Sequence, residues 1–156
     1  MRLNIVAIGQ SMPSWVTSGW TEYAKRFPRG FSMNLRELQA IKRSRNADID
    51  SIRRREGEAL LGAVPPSSYL VALDELGNQW STVELSTHMT EWMKTSRNVT
   101  FLIGGPDGLS DTCRERADAC WSLGKLTLPH ALVRVVLAEQ LYRAWTITQN
   151  HPYHRD

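Results

Sequence analysis

Apolar runs bounded by turn residues alternate with longer amphipathic stretches along the whole chain. The first run, LNIVAIG, ends at Gly9. It suits one buried strand and is too short for the apolar heart of a signal peptide. Pro13 stands where a first helical position would be, and SWVTSGWTEYAKRF follows as a helix ended by Pro28 and Gly30. In FSMNLREL, Phe31, Met33 and Leu35 alternate with polar residues, as in a half-buried strand. KRSRNAD is a polar loop, and a charged helix spans about Ile49 to Ala63. SYLVAL reads as a continuous apolar strand, ended by Asp74 and a turn at Gly77-Asn78. Ser81 and Glu84 make a Ser-x-x-Glu capping box that opens the helix STVELSTHMTEWMKT. VTFLIGG is the next buried strand, and a helix is expected around Cys113 to Cys120. WSLGKLTLP is a short strand or extended loop, and a last helix runs from about His130 to Thr148.

Strands and helices alternating at this spacing predict an α/β fold, a mostly parallel sheet flanked by helices. The chain has 156 residues and no repeat, low-complexity segment or linker, so one domain over 1–156 is expected. Such sheets bind ligands beyond the carboxyl ends of their strands. Three strand ends qualify: Leu73-Asp74, Gly104-Gly105 and the region after Leu123. The last helix carries Leu132, Val133, Val135, Val136, Leu137, Ala138, Leu141, Ala144, Trp145 and Ile147, apolar nearly all the way round. Such a helix needs cover on more than one side. A second copy of the chain is the simplest source of that cover, which predicts a two-fold homodimer.

Charge changes the picture. The net charge is only +3, but Ala24–Arg55 holds ten basic residues (Lys25, Arg26, Arg29, Arg36, Lys42, Arg43, Arg45, Arg53, Arg54, Arg55) against Glu37, Asp48 and Asp50. The remainder of the chain is therefore net negative. Such a patch suits nucleic acid through phosphate neutralisation, a solvated face being the plain alternative. The longest apolar stretch contains Arg134, Glu139 and Arg143, which argues against a membrane span. Cys113 and Cys120 lack ligand-like spacing, so a buried reduced pair on one helix face is expected and no metal. These features together fit the cytoplasm.

The stretch NVTFLIGGPDGLS, Asn98–Ser110, leaves bare backbone at a strand end. No GK[ST] follows, and the spacing is not G-x-G-x-x-G. Pro106 removes an N–H from any phosphate cradle and Asp107 adds a repelling charge. Two readings stand: a plain glycine-rich turn, or backbone that touches a neutral or cationic ligand such as S-adenosylmethionine edge-on.

Three segments, LIGGPDGLS, SLGKLTLPHALVRVVLAEQLYRAW and the terminal NHPYHRD, together with VAIGQSMPSWV near the start, resemble a known family across essentially the whole length. It is the bacterial ribosomal RNA large-subunit methyltransferase H family, of the SPOUT class of knotted methyltransferases. The resemblance implies a C-terminal deep trefoil knot, a homodimer formed through the knot region, and S-adenosylmethionine held there mainly by backbone. It places the cofactor contacts at Leu73, at Gly104 and Gly105, and along Leu123, Gly124, Lys125, Leu126, Thr127 and Leu128. Gly124 stands where a serine is common in the family, which removes a side-chain contribution but not a backbone one. The implied reaction is methylation of N3 of a pseudouridine in 23S rRNA of the assembled ribosome.

That chemistry asks for alignment and for removal of the N3 proton, by a positioned base or with help from a nearby cation. Disorder is the plain expectation for a tail. Yet two histidines, a tyrosine and an arginine at the end of the chain suit base stacking and phosphate contact. Tyr153, His154 and Arg155 are the expected RNA contacts, with His154 and Arg155 the candidates for assisting proton removal. Arg134 and Arg143 lie on an apolar helix where an unpaired charge is expensive. Contact with RNA or cofactor, or an ion pair across the dimer, are their two readings. His130 is read as either packed or capping its helix or else functional, and His88 as surface or packing. A non-catalytic ribosome-binding module and a nucleotide-phosphate enzyme are the competing functions.

Overall fold

The computed structural model describes residues 1–95 and 97–155. Strands β1 (Arg2–Ile8), β2 (Ser32–Leu38), β3 (Tyr69–Gln79), β4 (Val99–Ile103) and β5 (Ala119–Ser122) alternate with helices α1 (Ser14–Ala24), α2 (Ile49–Gly62), α3 (Thr82–Lys94), α4 (Asp111–Arg116) and α5 (His130–Thr148). A single 3-10 turn, Pro152–His154, follows α5. The strands lie in the order β2-β1-β4-β3-β5, and every pairing is parallel.

Side-chain alternation along the strands divides the core into two layers. Leu3, Ile5 and Ala7 of β1 join Val71 and Phe101 against Trp20, Leu85, Met89, Leu137 and Leu141, which come from α1, α3 and α5. Val6, Ile8, Ala72 and Leu102 face the other way, against Leu60 of α2 and Cys113 of α4. This is why VTFLI shows no polar alternation: a strand covered on both faces buries every position. Phe101 is fully buried, edge-on to Trp92 and Trp121 at 5.9 and 6.3 Å between ring centres. The capping box forms as expected. Ser81 Oγ accepts from the Glu84 N–H at 3.1 Å, and the Glu84 carboxylate accepts from the Ser81 N–H at 2.6 Å.

Two sequence expectations need correction. β3 does not end at Asp74 with a turn at Gly77-Asn78 but continues to Gln79. Leu73 and Asn78 both stand opposite Trp121, so Asp74–Gly77 are extruded from the ladder between them. A Cβ at Gly77 would lie 2.7 Å from the backbone of Cys120 and Trp121, so only glycine lets the strand rejoin β5. The helix expected from Cys113 to Cys120 stops at Arg116. Asp118 explains the stop: its N–H donates to the Leu70 carbonyl and its carboxylate accepts from the Leu70 N–H, both at 2.8 Å. The chain is thereby drawn into β5, and the two cysteines sit on different elements, Cys113 buried and Cys120 half-buried.

α5 packs against α1 and α3. Gly19 of α1 admits Val135 so closely that a Cβ there would lie 3.0 Å from its methyl. One side of α5 is sealed by Leu137, Ala138, Leu141 and Ala144, while Leu132, Val133, Val135, Val136 and Ile147 remain half-buried in the single chain.

Candidate functional site

The carboxyl ends of β3, β4 and β5 open into a cavity of about 540 Å³, a size that suits a small-molecule ligand. Its wall is built from Leu73 and the extruded Asp74–Leu76, from Ile103 and the loop Gly104–Leu109, and from Trp121–Gly124 with Leu126, Thr127 and Leu128. His130 and Val133 of α5 complete it, with Arg53 of α2 and Arg114 of α4 at the side. Of the expected cofactor residues, Leu73, Gly104, Gly105, Leu123, Gly124, Leu126, Thr127 and Leu128 all converge here. Lys125 belongs to the same loop but is exposed and outside the wall.

Glycine is required at two points. A Cβ on Gly104 would lie 2.6 Å from the carbonyl carbon of Gly108, so the loop folds back on itself only without one. The fold-back is closed by the Gly108 N–H, which donates to the Gly105 carbonyl at 3.0 Å. Gly124 has φ of +146°, a backbone that L side chains rarely adopt, and Ser122 brackets it by a bond from its hydroxyl to the Gly124 carbonyl at 3.0 Å. The glycine that departs from the resembled pattern thus suits this chain's own backbone.

Three residues of the wall carry a nitrogen that is buried with no partner among the described residues: Trp121 Nε1, Arg53 Nε and His130 Nδ1. Trp and Arg nitrogens can only donate, so two unmet donors lie behind this wall. Burial holds His130 below the ordinary histidine value, with further depression from Arg134 and Arg43, so it sits as a neutral imidazole. It begins α5 but makes no capping bond with its side chain; Pro129 occupies the cap. Arg114 ties the extruded segment down by donating to Asp74 at 3.0 Å, to the Leu109 carbonyl at 3.0 Å and to Asp111. Asp107, counted from sequence as a bare repelling charge, accepts from Arg43 Nε at 2.7 Å.

Arg134 is a correction. Expected on the RNA face or in an ion pair across a dimer, its side chain is fully buried. It donates to the carbonyls of Ile8 and Gly9 at 3.1 and 2.8 Å and pairs with Glu37. It therefore fastens α5 to the ends of β1 and β2. His88 is packing, as read: it lies 4.0 Å from the Trp80 ring centre and 5.9 Å from that of Trp92.

The tail is folded rather than loose. Tyr153 donates to Glu139 at 3.1 Å and meets Tyr142 edge-on at 4.8 Å. Burial, with the Glu139 charge behind it, pushes the Tyr153 hydroxyl up to about 12. Arg143 donates to Glu139 at 2.8 Å and to the His154 carbonyl at 3.0 Å, with its guanidinium 5.0 Å from the Tyr153 ring centre. His154 is half-buried with Nδ1 unpartnered among the described residues, and Arg155 is exposed. None of Tyr153, His154, Arg155 and Arg143 lines the cavity. The 19 residues of α5 put roughly 27 Å between His130 and the tail at a helical rise of ~1.5 Å per residue.

The sequence model of the family described as "Predicted SPOUT methyltransferase" matches residues 1–154. This chain belongs to the SPOUT methyltransferases. It is 51% identical over 156 residues, the full length of both, to the protein named ribosomal RNA large subunit methyltransferase H of Thioalkalivibrio sulfidiphilus. It is 52% identical over 155 residues to the protein of the same name in Methylococcus capsulatus, covering 99% of this chain and 100% of that one. Two solved structures share the fold: a probable methylase family protein from Haemophilus influenzae, with TM-score 0.57 and 13% identity over 99% of this chain and 70% of that one, and a probable methyltransferase from Bordetella pertussis, with TM-score 0.54 and 15% identity over 92% and 95%.

In this SPOUT methyltransferase several cavity residues escaped the sequence reading, notably Trp121, Arg53 and Arg114, the partner of Asp74. A signal existed for one more. Ile52, Glu56 and Leu60 recur every four residues, which puts a carboxylate on the buried face of α2. Glu56 is indeed 3% exposed, and Arg43 is its partner at 2.7 Å. Within the basic segment, Lys25, Arg29, Arg36, Lys42, Arg45, Arg54 and Arg55 are exposed. Among the described residues, no helix is long and apolar enough to cross a membrane.

Proposed function

We propose that this chain binds S-adenosylmethionine in the cavity at the ends of β3, β4 and β5 and methylates N3 of a pseudouridine in 23S rRNA of the assembled ribosome, in the cytoplasm and as a homodimer. One observation carries the cofactor reading: a cavity of ligand size walled by bare backbone at Gly104–Gly105 and by the Leu123–Leu128 loop. The ribosomal RNA reading draws on the names of the relatives and on the exposed arginines and lysines between Lys25 and Arg55. Threading of the C-terminal part as a trefoil knot is inferred with it, on the strand order that sets β4 between β1 and β3 while β5 lies beyond β3.

When bound, the cofactor supplies a methyl group already activated on a sulfonium. The chain's own residues do the rest. Leu73, Ile103 and Leu128 give the cavity an apolar wall, and the glycine backbone holds the ligand without side chains in the way. Asp74 and Asp107 on the wall are already paired with Arg114 and Arg43, which leaves Glu75 as the wall's acid to favour a cationic ligand. His154 or Arg155 assists departure of the N3 proton, and Tyr153 offers an aromatic face to the RNA. The length of α5 keeps this tail away from its own cavity, so we infer that the tail of one copy serves the cavity of the other.

Calorimetry with S-adenosylmethionine and with ATP, followed by tritium transfer from labelled cofactor to ribosomes lacking the modification, tests the reading. Binding of the first ligand alone and label on 23S rRNA are expected. Cofactor binding without transfer would favour a non-catalytic ribosome-binding module, and ATP binding alone a nucleotide-phosphate enzyme. Shared sites are tested separately by mixing Gly105→Arg and Arg155→Ala subunits: hybrid dimers should recover activity that neither parent has, and no recovery rejects sharing.

A further inference from the structure

The basic loop between β2 and α2 and the glycine loop after β4 are joined by one guanidinium. Arg43 Nε donates to Asp107 at 2.7 Å, Nη2 to Glu56 at 2.7 Å, and Nη1 to Glu56 at 3.3 Å and to the Ile41 carbonyl at 2.9 Å. Glu56 is 3% exposed and also accepts from the Ile41 N–H at 3.2 Å, so the anchor under Arg43 is rigid. A Cβ built on Gly105 would lie 3.3 Å from both Arg43 Nη2 and Glu56 Oε1, which sets the pair directly beneath the cavity wall. Hydrogen bonding to Glu56, and to Asp107 beside it, holds the Arg43 guanidinium above its ordinary value against the opposing effect of burial. Its sequence neighbours Lys42 and Arg45 point the other way in exposure, both open to solvent in the segment richest in basic residues.

We propose that Arg43 is a positioning residue that couples RNA docking to the cofactor loop. RNA phosphates held by Lys42 and Arg45 restrain the loop that carries Arg43. Arg43 passes that restraint to Asp107, and so to the Gly104–Gly108 turn. A turn ordered by RNA needs less ordering when the cofactor enters, and the effect is reciprocal: cofactor bound on the turn strengthens the grip on RNA. The coupling presupposes the cofactor cavity and RNA substrate argued above, but adds a thermodynamic link between them that neither site implies alone.

The test uses labelled S-adenosylhomocysteine, which cannot transfer a methyl group, in equilibrium dialysis with and without saturating unmodified ribosomes. For the wild type, ribosomes should tighten its binding at least about fivefold, the lower end of ordinary coupling. In Asp107→Asn, which keeps the loop's shape but loses the charge, and in Arg43→Lys, which loses the fork of donors, the factor should fall below about twofold. Asp107 is on a part-exposed turn, so its variant should fold even if an Arg43 substitution does not. Lys42→Ala with Arg45→Ala should leave ligand affinity without ribosomes unchanged and abolish the tightening. A wild-type factor below twofold, or an undiminished factor in Asp107→Asn, overturns the coupling while leaving the cavity reading intact. No binding by the wild type under either condition would remove the cavity reading itself, and the coupling with it.

Discussion

Replacing Arg134 by methionine should destabilise the fold and leave RNA binding by the folded fraction intact. Methionine keeps most of the apolar stem, so little cavity opens, but it deletes every donor. The Ile8 and Gly9 carbonyls lose bonds of 3.1 and 2.8 Å in a buried site. An orphaned buried polar group costs about 1–3 kcal/mol, so the pair together threaten roughly 2–6 kcal/mol. Glu37 is 35% exposed, so water replaces much of what it loses, and its share is about 0–1 kcal/mol. Against these stands relief from burying a guanidinium, which brings the net to about 3 kcal/mol, the lower end for removing one partner of a buried pair. That is a large part of the roughly 5–15 kcal/mol available to a domain. Urea unfolding at one fixed protein concentration is the right assay, since any self-association makes apparent stability depend on concentration. With m near 1–3 kcal/mol per molar, the midpoint should fall by about 1–3 M. A loss under about 1 kcal/mol accompanied by weakened RNA binding would return Arg134 to the RNA surface and refute the reasoning.

Other perturbations address the cavity and the tail. Gly104→Ala should weaken S-adenosylmethionine binding at least about tenfold by calorimetry, since the new methyl would lie 2.6 Å from the Gly108 backbone; Gly62→Ala, with open space around it, should change nothing. His130 is held below its ordinary value, so the unfolded chain takes its proton more readily. Its contribution to stability is then fully present above about pH 6.5 and lost as pH falls through the lower folded value, and His130→Gln should flatten the urea midpoint in that window; an unchanged slope would assign the titration elsewhere. Tyr153 is raised to about 12, so stability tied to it is present below the ordinary tyrosine value of about 10 and lost as pH rises toward 12. Alkaline ultraviolet titration should show two late-ionising tyrosines, Tyr69 held up chiefly by its burial and Tyr153, and Tyr153→Phe should remove one of them; a late phase undiminished in the variant would contradict the Glu139 contact.

Continuous apolar runs bounded by turn residues, and capping signals, carried most of the architecture. VTFLI, LNIVAI and the Ser81–Glu84 box sit where their local chemistry requires, because those signals depend on near neighbours alone. The two misread boundaries share another cause. β3 runs past Gly77 because β5 offers it a partner, and α4 stops at Arg116 because Asp118 finds Leu70, 48 residues away. Neither partner is visible in a local window. Burial misled in a third way. Arg134 on an apolar helix was correctly read as needing a partner, but the sequence could not show that two main-chain carbonyls and Glu37 meet inside the fold. At the cavity, loop glycines were legible because their chemistry is backbone chemistry. Trp121 and Arg53 were not, since an unpaired buried nitrogen exists only once the surroundings are known.

The length of α5 joins two readings that the sequence offered separately. One is a helix with apolar residues on too many sides; the other is a tail whose residues suit RNA. His130 at the first end of the helix lines the cavity, and the tail folds back at the last end, on Glu139, Tyr142 and Arg143. Roughly 27 Å of helix lies between, so no rotamer of His154 or Arg155 brings it to its own chain's Gly104. Leu132, Val136 and Ile147 stay half-open along that same length. If the stripe is covered by a second α5 running antiparallel, the His130 end of one copy meets the tail end of the other. The apolar excess and the displaced tail would then be one device: burial supplies the association, and the association carries the tail to a cavity it cannot reach alone.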